Sequence, residues 1–585
     1  MMKPAYYIHP GFPKCLALGH TLGIIPYMYA LKEDPKPGDK VVLFGGLTGR
    51  DGVHGATASS AAMTSETLTK DKAAVQIGLP IIERKFMTAV PEWRDRSCLR
   101  SITDLGAGGI SCAVGELGKR GVKIHSDRVP LKDSSLSPWE ILLSESQERM
   151  LAAVPPEKID EFIEIAEKYD IQYTILGEFN DSGKYSVFHG DEQFVDLDMN
   201  FLWKQCPIDN VIVEPAIRPY VELNIDEPTT ADEWRAAAIE LLRHWHCCDQ
   251  SAAGTQFDST VQGQTVVGPY GGAHGDMPTG ATVLAPLEDA FDGVAFSIAY
   301  HPYYGDLDPA GMARLAVIEA IAKLISAGVP LSQIGLCDNF YAPKIRPDVA
   351  ADLVGVVDVI CEASEVFGTP FISGKDSSSG TFKADDGTLI DVPFSLVVAG
   401  MGILPDVRKT VTSEFKEAGN QLIYVGACWP NKRFLGASTY AVMEDKKGGR
   451  LPRDGTLSEH KTTFEAIHEL MERGLVRSAS AMTSGGIWAS IFKSCLGSDL
   501  GAELTLNQIS DQLSAPLFGE APGGFILEFD QKTDAKVLMG LDWCEIGTVT
   551  QDPVVRVLWR GEEKFQATVE ELAKEWRQPF AEVIG

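Results

Sequence analysis

No apolar run in this 585-residue sequence approaches the roughly 18 residues of a membrane-spanning helix. The opening stretch MMKPAYYIHPGFPK has no apolar core behind a basic start, so nothing in it reads as an export signal and a cytoplasmic location is expected. Basic residues are scarce: 52 Lys and Arg stand against 81 Asp and Glu, a formal charge of -29. That balance works against nonspecific attraction to nucleic acid or to an anionic membrane. A phosphate-bearing ligand would have to be met by backbone amides, a bound cation or a few local basic side chains. The eleven cysteines are scattered. Their one close pair, Cys247-Cys248, is adjacent and cannot supply two ligands of an ordinary C-x-x-C zinc site. Reduced thiols are expected. No cysteine sits in a strand-to-helix elbow near a His and a Glu, so no glutaminase nucleophile is visible.

What the chain does contain is an internal repeat, which bears on architecture before any single element. Near the start it reads KPGDKVVLFGGLTGRDGVHGAT from Lys36, then SITDLGAGGISCAVGE from Ser101, then LLSESQERMLAAV from Leu142. Near the end it reads EAGNQLIYVGACWPNKRFLGAS from Glu417, then SASAMTSGGIWASIFKS from Ser478, then LFGEAPGGFILEF from Leu517. The landmarks agree in order and rough spacing over about 170 residues, a domain-sized unit. The middle segment, roughly 210 to 405, has no counterpart. Short β-rich runs ending in glycine (VVLFGG, FISG, LIYVG) alternate with helical patterns such as PPEKIDEFIEIAEKYD and DPAGMARLAVIEAIAKLISAG. The alternation predicts an α/β or α+β fold. The Pro-rich, acidic stretch from 214 to 234 reads as a connection, with a second junction near Pro405-Asp406.

Five segments carry candidate chemistry. GGLTGRDGVHGA (45–56) has five glycines in twelve residues, with Arg50, Asp51 and His54; it is either a ligand loop or a glycine-punctuated hairpin. ITDLGAGG places Asp104 at the end of a β-like run, before a glycine turn into a helix. There a carboxylate either holds Mg²⁺ against phosphates or simply caps the helix. SESQERM puts Glu145, Ser146 and Gln147 between apolar runs, as ligand donors and acceptors or as a solvated turn. FISGKDSSSG (371–380) reads as strand, glycine turn and hydroxyl cluster, a phosphate cradle without P-loop spacing. CDNF is expected to set Asp338 and Asn339 where a strand edge meets a loop.

Taken in order, GGLTGRDGVHGAT, VQIGLP, ITDLGAGG, SPWEILLSESQERM, CDNF and TPFISGKDS closely resemble the synthetase component of phosphoribosylformylglycinamidine synthase. Aminoimidazole ribonucleotide synthetase and selenophosphate synthetase share the LFGEAP-type block but not the series. The resemblance implies a duplicated fold of two pseudo-dimeric halves around a β-barrel, with three of four units present. Residues 1–36 then look like the tail of a first N-terminal unit, and 37–212 like the C-terminal unit of the first half. Residues 213–405 and 406–585 look like the N- and C-terminal units of the second half. The implied reaction is ATP-dependent conversion of formylglycinamide ribonucleotide to the amidine in purine biosynthesis, with ATP and Mg²⁺ required. By position, Gln76, Glu145, Ser146, Gln147 and Ser377 resemble substrate contacts, Asp338 and Gly374 nucleotide contacts, and Asp104 and Asp376 Mg²⁺ ligands. The family's catalytic His belongs to the first N-terminal unit and has no match here. The expected partners are therefore a separate chain carrying that unit, a glutaminase supplying ammonia, and a small bridging subunit; the chain alone is expected to be inactive. Departures fall in the second half, where TGATVL (279–284) replaces a G-x-D-A-A-V-L run, Lys323 stands for an expected Asn, and Ala481 for an Asp. They support an alternative, a non-catalytic relative acting as a nucleotide-binding scaffold.

Overall fold

The structure, a computed structural model, describes residues 9–12, 19–53, 76–205, 207–208, 210–255, 259–260, 263–426, 435–452, 455–507 and 512–584. His54 and the rest of the glycine-rich segment after Val53 lie outside the described residues. The chain divides into two compact units: Ala17–Asn210 with Thr381–Ile390, and Met1–Leu16 with Val211–Gly380 and Asp391–Gly585.

The first unit is built on seven strands: β1 (Lys40–Gly45), β2 (Ser101–Asp104), β3 (Val122–His125), β4 (Arg149–Val154), β5 (Tyr173–Phe179), β6 (Lys184–His189) and β7 (Glu192–Asp198). Their order is β2-β4-β1-β5-β3-β6-β7, antiparallel except for the parallel β3/β6 pair. Strand β1 is central, and its Val41, Val42, Leu43 and Phe44 are all buried, as an uninterrupted apolar run demands. Because side chains alternate across a strand, Val41 and Leu43 pack on Ile110, Ala113 and Val114 of the helix Gly109–Leu117. Val42 and Phe44 pack on the opposite face, against Trp93 of the helix Pro80–Asp95 and Phe162 of the helix Ile159–Lys168. Trp93 stacks on Phe162 with ring centroids 4.4 Å apart and donates its indole N–H to the Phe162 carbonyl at 3.0 Å.

The middle segment supplies β8 (Thr265–Val267), a short ribbon of β9 (Tyr270–Gly271) and β10 (Met277–Pro278), then β11 (Thr282–Leu284), β12 (Gly293–Ala299), β13 (Ile334–Tyr341) and β14 (Phe371–Ser377). A second ribbon, β15 (Thr381–Lys383) and β16 (Leu389–Asp391), precedes β17 (Ser395–Leu404). Six of these strands form a mixed sheet in the order β14-β13-β17-β12-β11-β8. Its edge strands, β14 and β8, are not paired with each other. The helix Pro309–Ser326 is buried along nearly its whole length, with Ala316, Val317, Ile318, Ala320 and Ile321 in one core that also takes in Ile423, Val425 and Phe464 of the C-terminal third.

That last third repeats the first unit strand for strand. Strands β18 (Gln421–Val425), β19 (Val476–Ala481), β20 (Gly501–Thr505), β21 (Phe525–Phe529), β22 (Trp543–Thr550), β23 (Val554–Trp559) and β24 (Glu562–Thr568) follow the order β19-β21-β18-β22-β20-β23-β24. The register break of the central strand recurs as well, at Val41/Val42 and at Leu422/Ile423. Opposite each break stands a glycine at a crowded position. A Cβ on Gly177 would lie 1.9 Å from the Lys123 carbonyl oxygen, and one on Gly547 would lie 2.0 Å from that of Glu503. The helix Leu457–Glu472 in this copy starts from a capping box, in which the Glu459 N–H donates to Thr456 Oγ1 (3.2 Å) and the Thr456 N–H to Glu459 Oε2 (2.7 Å). Replacing the exposed Thr456 with alanine is expected to lower stability by about 1 kcal/mol, read from the midpoint of a denaturant titration. Among the described residues no helix is long and apolar enough to cross a membrane.

Candidate functional site

Between the helix Pro138–Leu143 and β4 the chain makes a polar loop, 144–148, that is not a solvated turn. Ser144, Glu145 and Ser146 are respectively 0%, 7% and 1% exposed, so their polar atoms must be satisfied from within. Gln76 Nε2 donates to Glu145 Oε2 at 2.8 Å, and Gln147 Nε2 donates to Gln76 Oε1 at 2.7 Å and to the Glu145 carbonyl at 3.2 Å. Gln76, Glu145 and Gln147 are thus one chain of hydrogen bonds, although 69 residues separate Gln76 from Glu145. Gly52 makes this possible: its φ is +67°, and a Cβ there would sit 2.4 Å from Glu145 Cβ and 2.8 Å from Gln76 Nε2.

Beneath the loop lies a charged support that the sequence reading did not assign. Arg149 is 3% exposed and donates from Nε to the Ser146 carbonyl (2.8 Å), from Nη2 to the Ser144 carbonyl (2.5 Å) and from Nη1 to Thr48 Oγ1 (2.8 Å). Burial lowers its pKa to about 10, with Asp51 opposing the shift, so it stays cationic at neutral pH. Asp51 accepts from Lys132 Nζ at 2.7 Å and from the Ser146 hydroxyl, and its carbonyl accepts the Glu145 N–H at 2.8 Å. Burial alone would raise the Asp51 carboxyl; the Lys132 and Ser146 hydrogen bonds and the Lys132 and Arg149 charges outweigh it and hold it below the usual carboxylate range. Ser146 is therefore committed to the support, while Glu145, Gln76 and Gln147 form the polar chain. Arg50 turns away to Asp133 (2.5 Å) and Glu140 (2.9 Å). The one sequence signal for this support was that Asp51 and Arg149 fall inside the two motifs already singled out.

Asp104 ends β2 and is exposed, at the head of a turn leading into the helix Gly109–Leu117. Gly108 and Gly109 have φ of +78° and +53°, and the Gly108 N–H points at Glu145 Oε1 (3.4 Å). A Cβ on Gly109 would lie 2.1 Å from the Ser144 carbonyl oxygen, so the glycine pair lets the helix start abut the polar loop.

The remaining candidates lie in the second unit, and there the local structure differs from expectation. Asp338 and Asn339 are not at a strand end, because β13 continues to Tyr341. Nor does the glycine of FISGKDS make a turn: β14 runs through Gly374, Lys375, Asp376 and Ser377, paired in parallel with β13. Asp338 is opposite Gly374, and a Cβ there would lie 2.3 Å from Asp338 Oδ1. The glycine is thus in the strand to make room for the carboxylate. Burial raises the Asp338 pKa, the Lys375 N–H works against it, and the neighbouring Asp376 charge adds to it. Asp376 is exposed and Ser377 half-buried, both on this edge strand.

The C-terminal copy retains the frame and replaces the chemistry. Gly485 and Gly486 repeat the left-handed pair, and the Gly485 N–H donates to Glu520 Oε1 at 3.3 Å, as Gly108 does to Glu145. Glu520 is closed in by Thr439, whose N–H (2.9 Å) and hydroxyl (2.6 Å) it accepts, and by the Tyr304 hydroxyl. In strand register Ala481 stands where Asp104 stands, and Gly524 where Arg149 does.

Comparison with known proteins agrees with this geometry. A family model for the AIR synthase related protein C-terminal domain matches twice, over residues 36–190 and 417–560, and one for the FGAR-AT PurM_N-like domain matches 249–402. Fold and repeat thus define a protein of the AIR synthase-related class. Phosphoribosylformylglycinamidine synthase subunit PurL of Thermococcus kodakarensis is 30% identical over 566 residues, covering 94% of this chain and 74% of that one. PurL of Methanopyrus kandleri is 31% identical, covering 93% and 74%. The chain belongs to the phosphoribosylformylglycinamidine synthase PurL family. It spans only 64% of the PurL of Thermoplasma volcanium, to which it is 32% identical. A solved structure described as T. maritima PurL complexed with FGAR has a TM-score of 0.61 at 25% identity, covering 89% of this chain and 73% of that one.

Proposed function

We propose that this chain is the larger part of a cytoplasmic PurL-type synthase that converts formylglycinamide ribonucleotide to its amidine in purine biosynthesis, using ATP and ammonia. The reading rests most heavily on the Gln76–Glu145–Gln147 hydrogen-bond chain, in which the buried Glu145 holds the exposed Gln76 and the half-buried Gln147 ready to bind a polar ligand. PurL of T. maritima has been solved in complex with FGAR and with ATP, which supports both ligands here.

In this reading Glu145, Gln76 and Gln147 orient the substrate, with Arg149 and Asp51 fixing the loop that presents them. Ser377 contributes to the substrate or its phosphate, and Asp338 and Gly374 receive the nucleotide. Among the described residues no three His, Cys, Asp or Glu side chains gather as a cage for a metal ion. Lone exposed carboxylates such as Asp104 and Asp376 suit Mg²⁺, which is commonly held by one or two carboxylates together with substrate phosphates. Bound there, Mg²⁺ would neutralise phosphate charge. Activation of the amide oxygen as a phosphate ester, followed by displacement of phosphate by ammonia, then depends chiefly on positioning and electrostatics. The partners in this reading are a chain carrying the family's His-bearing first unit, a glutaminase and a small bridging subunit.

The test is reconstitution. The purified chain with formylglycinamide ribonucleotide, ATP, Mg²⁺ and ammonium should form no amidine, and activity should appear on adding the His-bearing unit. In that assembly Asp104→Ala should lower the rate about a hundredfold. Turnover by the chain alone would overturn the need for a partner, and an unchanged rate in Asp104→Ala would remove that residue's role. A second reading, a nucleotide-binding scaffold, is favoured by Ala481 and Lys323 of the second half, in place of the family's Asp and Asn. Lasting inactivity after reconstitution would select it.

A further inference from the structure

Within the second unit lies a cleft of about 680 Å³ that the proposed reaction does not use. Its floor is apolar, with Leu315 buried and Leu307 half-buried, and its rim is formed by the segment Lys447–Pro452 and the extended stretch around Tyr220. This rim occupies a telling place in the repeat. It precedes the 16-residue helix Leu457–Glu472 and the edge strand β19, just as the stretch bearing Gln76 precedes the 16-residue helix Pro80–Asp95 and the edge strand β2.

The charges in the cleft sort into committed and uncommitted groups. Arg218 is paired in a fork with Asp352 at 2.8 and 2.6 Å, and Arg314 donates to the Gly455 carbonyl at 3.1 Å. Asp308 caps the helix Pro309–Ser326, accepting the Gly311 N–H at 3.0 Å, and Asp306 is hydrogen-bonded to His9 at 2.9 Å. That leaves Lys447 and Arg450, both exposed and neither with an ion-pair or hydrogen-bond partner for its side-chain charge among the described residues. Tyr220 adds a flat surface beside them: it is 59% exposed, and Arg450 lies 5.6 Å from its ring centroid.

We infer that this cleft binds a phosphate monoester carrying a planar ring, of the nucleoside monophosphate class. Arg450 offers a planar fork and Lys447 a point charge to one dianionic phosphate. Tyr220 offers a stacking face for the base, and the apolar floor and volume suit a ligand of nucleotide size. Two cations match a monophosphate's charge, whereas a triphosphate would bring further negative charge beside Asp306 and Asp308. The inference is independent of the catalytic reading.

Isothermal titration of the whole chain with adenosine monophosphate tests it, with adenosine and inorganic phosphate as comparison probes. Saturable binding of the monophosphate is expected, at least about tenfold tighter than adenosine, with inorganic phosphate competing. Arg450→Glu and Lys447→Glu, both surface changes checked for folding by circular dichroism, should each weaken it at least about tenfold, and Tyr220→Ala about threefold or more. Absence of saturable binding at millimolar monophosphate would overturn the inference. So would adenosine binding as tightly as its phosphate, or affinity indifferent to both charge reversals.

Discussion

Arg149→Met should destabilise the first unit by about 3–5 kcal/mol, because it removes a buried charge and strands the acceptors around it. The Ser144 and Ser146 carbonyls and Thr48 Oγ1 would each lose their guanidinium donor, and none lies where water replaces it readily. Methionine fills much of the volume, so the loss reports hydrogen bonds and charge more than a cavity. The denaturant midpoint of the unit and ligand binding should fall together. Arg149→Lys, which cannot span three acceptors with one ammonium, should lie between. The protein carries its own control: at the matching position the C-terminal copy has Gly524, and Tyr424 fills the space, its hydroxyl 2.5 Å from where a Gly524 Cβ would sit. The fold is thus attainable without the arginine. What it supports is the polar loop, which the second copy replaces with Gly519, Glu520, Ala521 and Pro522. A variant as stable as the parent would refute this account.

The second large effect concerns the helix Pro309–Ser326. Glu319, 1% exposed, meets Lys323 Nζ at 2.6 Å and His301 Nε2 at 2.9 Å, while Lys323 also donates to the Ile298 carbonyl at 2.7 Å. Burial would raise the Glu319 carboxyl, but the Lys323 and His301 charges and hydrogen bonds prevail and pull it down to about 2. Glu319→Leu leaves Lys323 buried without its counter-charge and should cost about 3–5 kcal/mol in thermal or denaturant unfolding. Glu319→Leu with Lys323→Met removes both charges and should recover much of that loss. The pH dependence has a definite sign. A carboxyl whose folded pKa lies below its unfolded value stabilises above the unfolded value, and that contribution fades as pH falls through the folded one. The parent should therefore lose stability as pH drops from about 4.5 toward about 2, and the double variant should lose less over that window. Equal acid sensitivity in both would show that the triad does not carry it.

These two clusters differ in how far they could be read from sequence. The loop motif drew attention because SESQERM is polar between apolar runs, and Lys323 stood out only as a departure from a family pattern. That Arg149 points inward under the loop, and that His301 completes the Glu319 pair, needed the fold. Strand ends were misjudged at Asp338 and Gly374 for a related reason: polar and glycine residues usually mark where a strand stops. Here β13 and β14 pair in parallel, and the missing Cβ of Gly374 admits the Asp338 carboxylate, so both strands run on through residues that look like loop.

By itself the sequence determined the duplication, the α/β alternation, the family and the residue types of the candidate site, because periodicity, glycine placement and motif order are local properties of the chain. Tertiary structure alone decided which of those residues meet. Gln76 reaches Glu145 only because Gly52 lets two backbone segments close, and Asp104 stays exposed while Glu145 is buried. It also decided which charges are already spent, leaving Lys447 and Arg450 uncommitted beside an open cleft. Hydrogen-bond partnership and desolvation depend on packing between segments far apart in the chain, and no local pattern encodes them.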